Sequence, residues 1–263
     1  MSTPVEGAEP AEAGGFVQSL ARGLAVIGAF DAEHPRMTLS EVARRTDLSR
    51  AAARRFLLTL EQLGYVRSDG RDFSLTPQVM RLGFAYLSSQ TLPDVAQPHL
   101  QELSDRLEES TSVAVLDGDD IVYVARRATR RIMAISIRVG TRFPAYATSM
   151  GRVLLAGLDD AALDAYLQRV PLTPLTSQTS TDPATLRELI VGVRTRGYAV
   201  VDQELELGLR SLAVPIRDRG GVAAALNVST SVLTPHGQAV EDLLAPLRAT
   251  AAAIEADLRA QGH

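Results

Sequence analysis

The chain has 263 residues, a formal net charge of −4 and a hydrophobic fraction of 46%. This length and composition allow one large or two smaller domains with buried cores, and we expect two. The absence of cysteine excludes disulfides, thiolate metal ligands and cysteine nucleophiles.

The charge is distributed unevenly along the chain. It amounts to −3 over residues 1–15, +3 over 16–91 and −4 over 92–263. Residues 1–15 are rich in Pro, Ala, Glu and Gly without apolar periodicity, which predicts a disordered tail and not a signal peptide. The basic excess lies where a nucleic-acid-binding surface is predicted below. Because no apolar run approaches the length of a membrane span, we expect a soluble, cytoplasmic protein without a membrane partner.

Residues 16–76 show the pattern of a winged helix-turn-helix. A first helix is predicted over about 16–31, because apolar residues recur there at intervals of three and four: Val17, Leu20, Leu24 and Ile27. We expect it to pack behind the second and third helices, which form the helix-turn-helix and are called the reading pair below. Thr38, followed three residues later by Glu41, predicts a capping box at the start of a second, short helix.

The third helix is the predicted DNA reader. Ser49 can cap it, Gly64 can end it, and its core stripe is formed by Ala53, Phe56, Leu57, Leu60 and Leu63. The opposite face carries Arg50, Ala51, Arg54 and Arg55. Small residues let a helix enter the major groove, and guanidinium groups bind guanine edges or phosphates. The alternative is an ordinary solvated basic helix face.

The wing follows in residues 65–75, two short strands about Asp69-Gly70. Arg71 at the hairpin tip suits a phosphate or minor-groove contact. Three helices and a wing in this order favour double-stranded DNA as the partner. The complete predicted DNA-contact set is Thr38, Ser49, Arg50, Ala51, Arg54, Arg55 and Arg71.

A linker helix is predicted over residues 77–91. Thr76-Pro77 supplies an N-cap followed by proline at the first helical position, and Ser88-Ser89-Gln90 ends the pattern. Pro93 and Pro98 flank the predicted boundary, so a second domain is expected over residues 92–263.

The second domain reads as α+β, an antiparallel sheet with helices packed on it. Strands are predicted over 112–116, 121–125, 132–139, 198–202, 211–217 and 222–229, and helices near 100–107, 149–157, 159–169, 182–196 and from 235 to the end. The last helix has one apolar stripe that could be core or a dimer seam. A sheet with a concave face left by its helices is a candidate small-molecule receptor.

The segment Ala147-Thr148-Ser149-Met150-Gly151 comes closest to an enzyme motif. It is near the Gly-x-Ser-x-Gly nucleophile elbow, and Asp202 and His236 follow in hydrolase order. However, alanine replaces the first glycine and the preceding residues make a poor buried strand. A serine hydrolase with an accessory DNA-binding domain is therefore the alternative, and we predict that the protein is not an enzyme. A helix beginning at Ser149 could instead offer the free N–H groups of residues 149–151 to a carboxylate, or be only a capped helix.

No metal or cofactor site is predicted. The four histidines are isolated from one another in sequence, and no Walker or dinucleotide glycine pattern occurs: His34, His99, His236 and His263. The cluster Arg126, Arg127, Arg130 and Arg131 is interpreted as a solvated face, with anions or a partner subunit as open alternatives.

Taken together, these segments resemble the IclR family of bacterial transcriptional regulators over roughly residues 16–260. The resemblance rests on the winged helix-turn-helix and on Ser19-Leu20-Ala21-Arg22-Gly23-Leu24, residues 143–156 with Ser149-Met150-Gly151-Arg152, Arg196-Gly197-Tyr198-Ala199-Val200, and Gly208-Leu209-Arg210-Ser211-Leu212-Ala213-Val214-Pro215-Ile216. Within the family, residues 30–41 and 50–60 look like the branch that controls genes of the β-ketoadipate (protocatechuate) pathway.

The resemblance implies a dimer, or a dimer of dimers, that binds a palindromic promoter site. It also implies a C-terminal antiparallel-sheet (GAF/PAS-like) domain that takes up a small organic acid, here an aromatic or dicarboxylic one. The family's effector pocket matches Ser149, Met150, Val201, Asp202, Ser211, Asn227 and Ser229. An acidic residue is common in the family where Val201 stands and serine where Asn227 stands, so we expect a ring-bearing or longer acid.

Overall fold

The structure is a computed structural model that describes residues 16–87, 91–129, 137–232 and 240–261. The chain divides into two compact units, one up to Tyr86 and the other from Leu87. Within the described ranges, no helix combines the length and hydrophobicity that a membrane span requires.

The N-terminal unit is a winged helix-turn-helix, as predicted. Its elements are α1 (Gln18–Gly28), β1 (Met37–Thr38), α2 (Leu39–Arg45), α3 (Arg50–Gln62), β2 (Val66–Ser68) and β3 (Asp72–Leu75). The three strands form an antiparallel sheet in the order β1-β3-β2. Strand β1 has only two residues and no sequence signal of its own, so it was not predicted.

The predicted caps of the reading pair are present. The Thr38 hydroxyl accepts from the Glu41 N–H while the Glu41 carboxylate accepts from the Thr38 N–H, which is a complete capping box. Ser49 caps α3 by accepting from the N–H of Ala52 at 3.2 Å. Gly64, with φ +81°, turns the chain away after α3.

The packing of α1 corrects one expectation. Helix α1 contacts the core through Val26, which is fully buried, and through the half-buried Ile27. Leu20 and Leu24, two members of the predicted core stripe, are instead 62% and 55% exposed. The helix is apolar on more than one side, and periodicity alone did not identify the side that faces its own core.

The linker begins as predicted, with Thr76 accepting from the N–H of Gln78. A 3₁₀ turn (Pro77–Val79) precedes α4 (Met80–Leu87), and the predicted end at residues 88–90 lies outside the described residues. The two prolines that flank the predicted domain boundary, Pro93 and Pro98, do not interrupt a helix. Helix α5 (Thr91–Leu107) runs through both, because Pro93 is in the first turn and a buried apolar face holds the helix across Pro98.

A six-stranded antiparallel sheet forms the centre of the second unit. The strands are β4 (Ser110–Asp117), β5 (Asp120–Arg127), β6 (Arg142–Pro144), β7 (Ala199–Asp202), β8 (Leu209–Asp218) and β9 (Gly221–Ser231), in the order β6-β5-β4-β9-β8-β7. The strands predicted over 112–116 and 121–125 pair as the hairpin β4–β5, and those predicted over 211–217 and 222–229 pair as the hairpin β8–β9. Of the strand predicted over 132–139, residues 132–136 lie outside the described residues and 137–139 are not in a strand.

Helices cover both faces of this sheet, which confirms the α+β class. One face packs against α6 (Ser149–Ala156), α7 (Asp160–Arg169) and α8 (Pro183–Arg196), and the other against α5 and α9 (Val240–Ala260). The apolar stripe of α9 is buried against its own sheet, so the core alternative holds for Leu243, Leu247, Ile254 and Leu258. The start of this helix predicted at residue 235 lies outside the described residues.

Candidate functional site

The N-terminal unit presents a basic face on α3. Arg50, Ala51, Arg54 and Arg55 are all exposed. Among the residues that the structure describes, no hydrogen bond or ion pair involves the guanidinium groups of these three arginines. By contrast, Arg45 on α2 pairs with a carboxylate at 2.7 Å. Unpaired arginines on the outer face of a helix-turn-helix reader are available to bases and phosphates.

Two other predicted DNA-contact residues, Thr38 and Ser49, use their side chains to cap helices. The Thr38 hydroxyl is committed to the capping box, donating to the Glu41 carboxylate at 2.7 Å. Ser49 also uses its side chain as a cap but is exposed at the start of α3. Their direct role on DNA stays a prediction, whereas their role in shaping the reading helices is visible.

The wing has a rigid tip. One Asp69 carboxylate oxygen accepts from the N–H groups of Arg71 at 3.1 Å and Asp72 at 2.8 Å. These hydrogen bonds hold the pKa of Asp69 below its ordinary value. Gly70 takes φ +95°, a conformation that favours glycine. The turn therefore presents the exposed Arg71 side chain from a fixed backbone.

In the second unit, a small cavity lies between the start of α6 and the sheet. Six of the seven predicted effector residues line it: Ser149, Met150, Val201, Ser211, Asn227 and Ser229. Its free volume is about 10 Å³, room for about one water molecule.

The start of α6 is polar and tightly packed. Thr148 caps the helix by accepting from the N–H of Gly151 at 3.0 Å, so that N–H is not free, contrary to the expectation for residues 149–151. The Ser149 hydroxyl is buried without a hydrogen-bond partner in the described part of the chain. A Cβ on Gly151 would overlap the Ala145 carbonyl oxygen, which explains the glycine.

The sheet supplies the other wall of the cavity. Asn227 donates to the Ser229 hydroxyl at 3.0 Å, but its own side-chain oxygen is buried and has no partner among the described residues. Ser211 lies directly opposite Ser229 in the β8–β9 ladder. Since buried polar groups are almost always hydrogen-bonded, the oxygens of Ser149 and Asn227 leave hydrogen-bonding capacity at this cavity for a water molecule or a ligand.

Asp202 is not among the residues that line the cavity. It pairs with Arg210 at 2.7 Å, its partner in the β7–β8 ladder. Successive residues of a strand point to opposite faces, so Val201 lines the cavity and the Asp202 side chain projects from the other face.

Five lining residues were not in the predicted effector set: Tyr123, Ala147, Thr148, Leu205 and Leu209. Burial raises the pKa of Tyr123 to about 12, so its hydroxyl stays protonated at neutral pH. The signal available was an aromatic residue with a polar tip inside an otherwise aliphatic strand. Leu205 follows β7 in an irregular segment, for which the sequence offers no periodicity.

A buried ion pair beside the cavity was also missed. Arg152 on α6 donates from Nη2 to Glu204 Oε2 at 2.6 Å and from Nε to the Tyr146 carbonyl at 3.0 Å. Glu204 also accepts from the N–H of Ser180 at 2.9 Å. This network ties α6 to the segment after β7 that carries Leu205.

Two family models match the chain. The IclR helix-turn-helix domain matches residues 19–70, and the C-terminal domain of the bacterial transcriptional regulator IclR matches residues 84–256. The chain is 54% identical over 219 residues to the Pca regulon regulatory protein of Pseudomonas putida, with 82% of this chain and 75% of that protein covered. It is 38% identical over 238 residues to the p-hydroxybenzoate hydroxylase transcriptional activator of Acinetobacter baylyi, with 88% of each covered.

One solved structure is similar over most of this chain. An IclR homologue from Microbacterium hydrocarbonoxydans, crystallised with 4-hydroxybenzoate, superposes with a TM-score of 0.81 at 30% identity and covers 92% of this chain and 100% of that one. These relatives are regulators, which removes the hydrolase alternative. The chain therefore belongs to the IclR family of DNA-binding transcriptional regulators and is not an enzyme.

Proposed function

We propose that this protein regulates genes of aromatic-acid breakdown and that a small organic acid, bound in the cavity at the start of α6, changes its binding to promoter DNA. The observation that carries the proposal is the pair of buried, unpartnered oxygens of Ser149 and Asn227 at one cavity. Relatives named for the Pca regulon and for p-hydroxybenzoate hydroxylase support the class of genes. The 4-hydroxybenzoate complex of a homologue supports the class of effector.

The DNA contacts are proposed to come from α3 and the wing. Exposed, unpaired Arg54 and Arg55 reach the major groove, and Arg71 reaches the backbone or the minor groove. Each lost phosphate contact lowers the slope of log K against log salt by about 0.9, and each lost bidentate base contact reduces discrimination by about 1–3 kcal/mol.

A palindromic site requires two reading heads, and we propose that they come from a homodimer or a dimer of dimers. The N-terminal unit supports this proposal with an exposed apolar groove of about 550 Å³ between α1 and α3. Its aliphatic lining includes Leu20, Leu24, Leu63 and Leu82. A contiguous apolar surface of this kind marks an interaction site.

The test is a DNA-binding titration on the protein's own upstream region. We expect affinity or transcription to change with at least one of 4-hydroxybenzoate, protocatechuate, β-ketoadipate or muconate, and Ser149→Ala to weaken that response. Ser177→Ala, in an exposed loop, is the matched control. An unchanged DNA affinity and unchanged transcription with all four acids would refute the effector proposal.

The DNA-reading assignment has its own test. Arg54→Ala combined with Arg55→Ala is expected to weaken binding and reduce the salt slope, whereas Arg219→Ala, an exposed arginine of the other unit, is expected to change neither. Unchanged affinity and sequence preference in the double variant would show that α3 is not the reading helix.

A further inference from the structure

A cationic side chain lies on the same sheet face as the cavity. Arg126 on β5 stands directly opposite Ser112 on β4, and Ser112 stands directly opposite Asn227 on β9. Residues directly opposite one another in a ladder project from one face. Asn227 lines the cavity, and Ser112 and Arg126 continue the same row across the sheet face, beyond the residues that line the cavity.

A β-bulge explains why Arg126 shares a face with Tyr123. Simple alternation would put residues three apart on opposite faces. The β4–β5 register shifts between Val113 and Ala114, where the partners change from Ala125 to Tyr123, so Val124 is the extra residue on β5. The shift turns Arg126 towards the face that Tyr123 already occupies.

The guanidinium of Arg126 is partly desolvated and incompletely paired. Its Nη1 donates to the Ser112 hydroxyl at 3.1 Å, while its Nε is buried without a partner among the described residues. Burial lowers the pKa of Arg126, because a poorly solvated site disfavours charge. Arginine nevertheless stays protonated in proteins.

Other arginines near the cavity are neutralised by carboxylates. Arg152 pairs with Glu204 at 2.6 Å and Arg210 with Asp202 at 2.7 Å. Within the described ranges, no carboxylate lies within ion-pair distance of Arg126. A desolvated cation whose side-chain partner is a neutral hydroxyl is unfavourable unless an anion reaches it.

The remaining polar groups of the wall are uncharged. They are the side chains of Thr148, Ser149, Ser211, Asn227 and Ser229 and the hydroxyl of Tyr123, whose pKa of about 12 keeps it neutral at pH 7. One cation beside neutral hydrogen-bonding groups matches a ligand with one carboxylate and a polar, uncharged far end. A second carboxylate on the ligand would face only neutral groups and would be desolvated without a counter-charge.

We propose that Arg126, held by Ser112, binds the carboxylate of a monocarboxylic effector, whose uncharged end extends over Asn227 towards Ser149. Neighbouring strands are about 4.8 Å apart, so an aromatic acid spans the distance from Ser112 to the cavity beyond Asn227. This proposal rests on the proposed function and names the group that provides acid recognition at its site.

The test compares an acid with its amide in calorimetric titrations of the full-length protein. 4-Hydroxybenzoate and 4-hydroxybenzamide have the same shape, but only the acid is anionic at pH 7.5. Arg126→Met is expected to weaken binding of the acid by about 10- to 100-fold, the range for a charged hydrogen bond, and to change amide binding by less than about threefold. Arg127→Met, which alters the exposed arginine next in sequence, is the control and is expected to change neither.

Arg126→Lys guards against a folding defect, since it keeps the charge and should retain a preference for the acid over the amide. Acid affinity that stays within about threefold in Arg126→Met overturns the proposal, and so does an equal loss for acid and amide in the folded variant. If the unaltered protein binds neither 4-hydroxybenzoate nor any other acid of the panel, the proposed function itself fails. If it binds an acid that Arg126→Met binds equally well, only the role of Arg126 fails.

Discussion

Replacing Glu204 with glutamine should destabilise the C-terminal unit strongly. Glu204 is 9% exposed and Arg152 is 3% exposed. The Glu204 carboxylate neutralises the Arg152 guanidinium in an ion pair of 2.6 Å. The substitution retains shape but leaves a buried cation without its counter-charge. Removing one partner of a buried pair costs about 3–5 kcal/mol.

An exposed pair of nearly equal length is the matched control. Arg187 Nε and Asp164 Oδ1 are 2.7 Å apart, but their side chains are 41% and 45% exposed. Exposed pairs contribute about 0–1 kcal/mol, so Asp164→Asn should have a small effect. Because the two contacts have nearly equal lengths, the difference between the stability losses of the two variants measures the effect of burial.

Urea unfolding followed by tyrosine fluorescence measures both variants. Four of the six tyrosines lie in the unit that begins at Leu87, so the signal reports mainly on that unit. With an m value of about 2 kcal/mol/M, the midpoint for Glu204→Gln should fall by about 1.5–2.5 M. A fall no larger than that of Asp164→Asn would refute the reasoning. Arg152→Met combined with Glu204→Leu should recover most of the stability, because an apolar pair leaves no orphaned charge.

Three further predictions follow from packing and charge. Gly151→Ala should lower the free energy of unfolding by at least the roughly 1–3 kcal/mol typical of overpacking, since the new Cβ would meet the Ala145 carbonyl; an unchanged urea midpoint would contradict the close approach. Leu20→Lys combined with Leu24→Lys should change the sedimentation coefficient from that of a dimer to that of a monomer, with the melting temperature of the N-terminal unit unchanged. A dimer that persists would exclude the groove between α1 and α3 as the interface. Stability should fall between pH 10 and 12, because folded Tyr123, with a pKa of about 12, keeps a proton that the unfolded chain releases near 10. Tyr123→Phe should reduce the slope of unfolding free energy against pH by about 1.4 kcal/mol per pH unit. If urea titrations at each pH gave the same slope for this variant and the unaltered protein, the assigned burial of Tyr123 would be contradicted.

Local hydrogen bonding made much of the N-terminal unit predictable from sequence. The Thr38–Glu41 capping box and the turn at Asp69-Gly70 depend on residues within three positions of one another, so the sequence contains both partners. The sheet of the second unit was predictable for the same reason, since tight turns join β4 to β5 and β8 to β9. Six cavity-lining residues followed from family resemblance, not from periodicity.

Features that depend on distant contacts were not predictable. Arg126 was interpreted as part of a solvated cluster at a strand end, and the bulge at Val124, which turns Arg126 to the face of Tyr123, has no signal in the sequence. Arg152 and Glu204 are 52 positions apart, and nothing local marks either as buried. Helix α1 was predicted, but not which of its apolar sides faces its own core.

The small cavity has a consequence for how sensitively the protein would respond to its effector. A dry cavity of about 150 Å³ is known to hold benzene, whereas this one offers about 10 Å³. The aromatic effector proposed above would therefore need a more open conformation to bind. Its apparent dissociation constant equals the intrinsic one divided by the fraction of molecules already open, so 1% open gives a hundredfold weaker apparent affinity. Residues outside the cavity lining, such as Gly151 and Glu204, would then help to set the effector concentration at which the regulator responds.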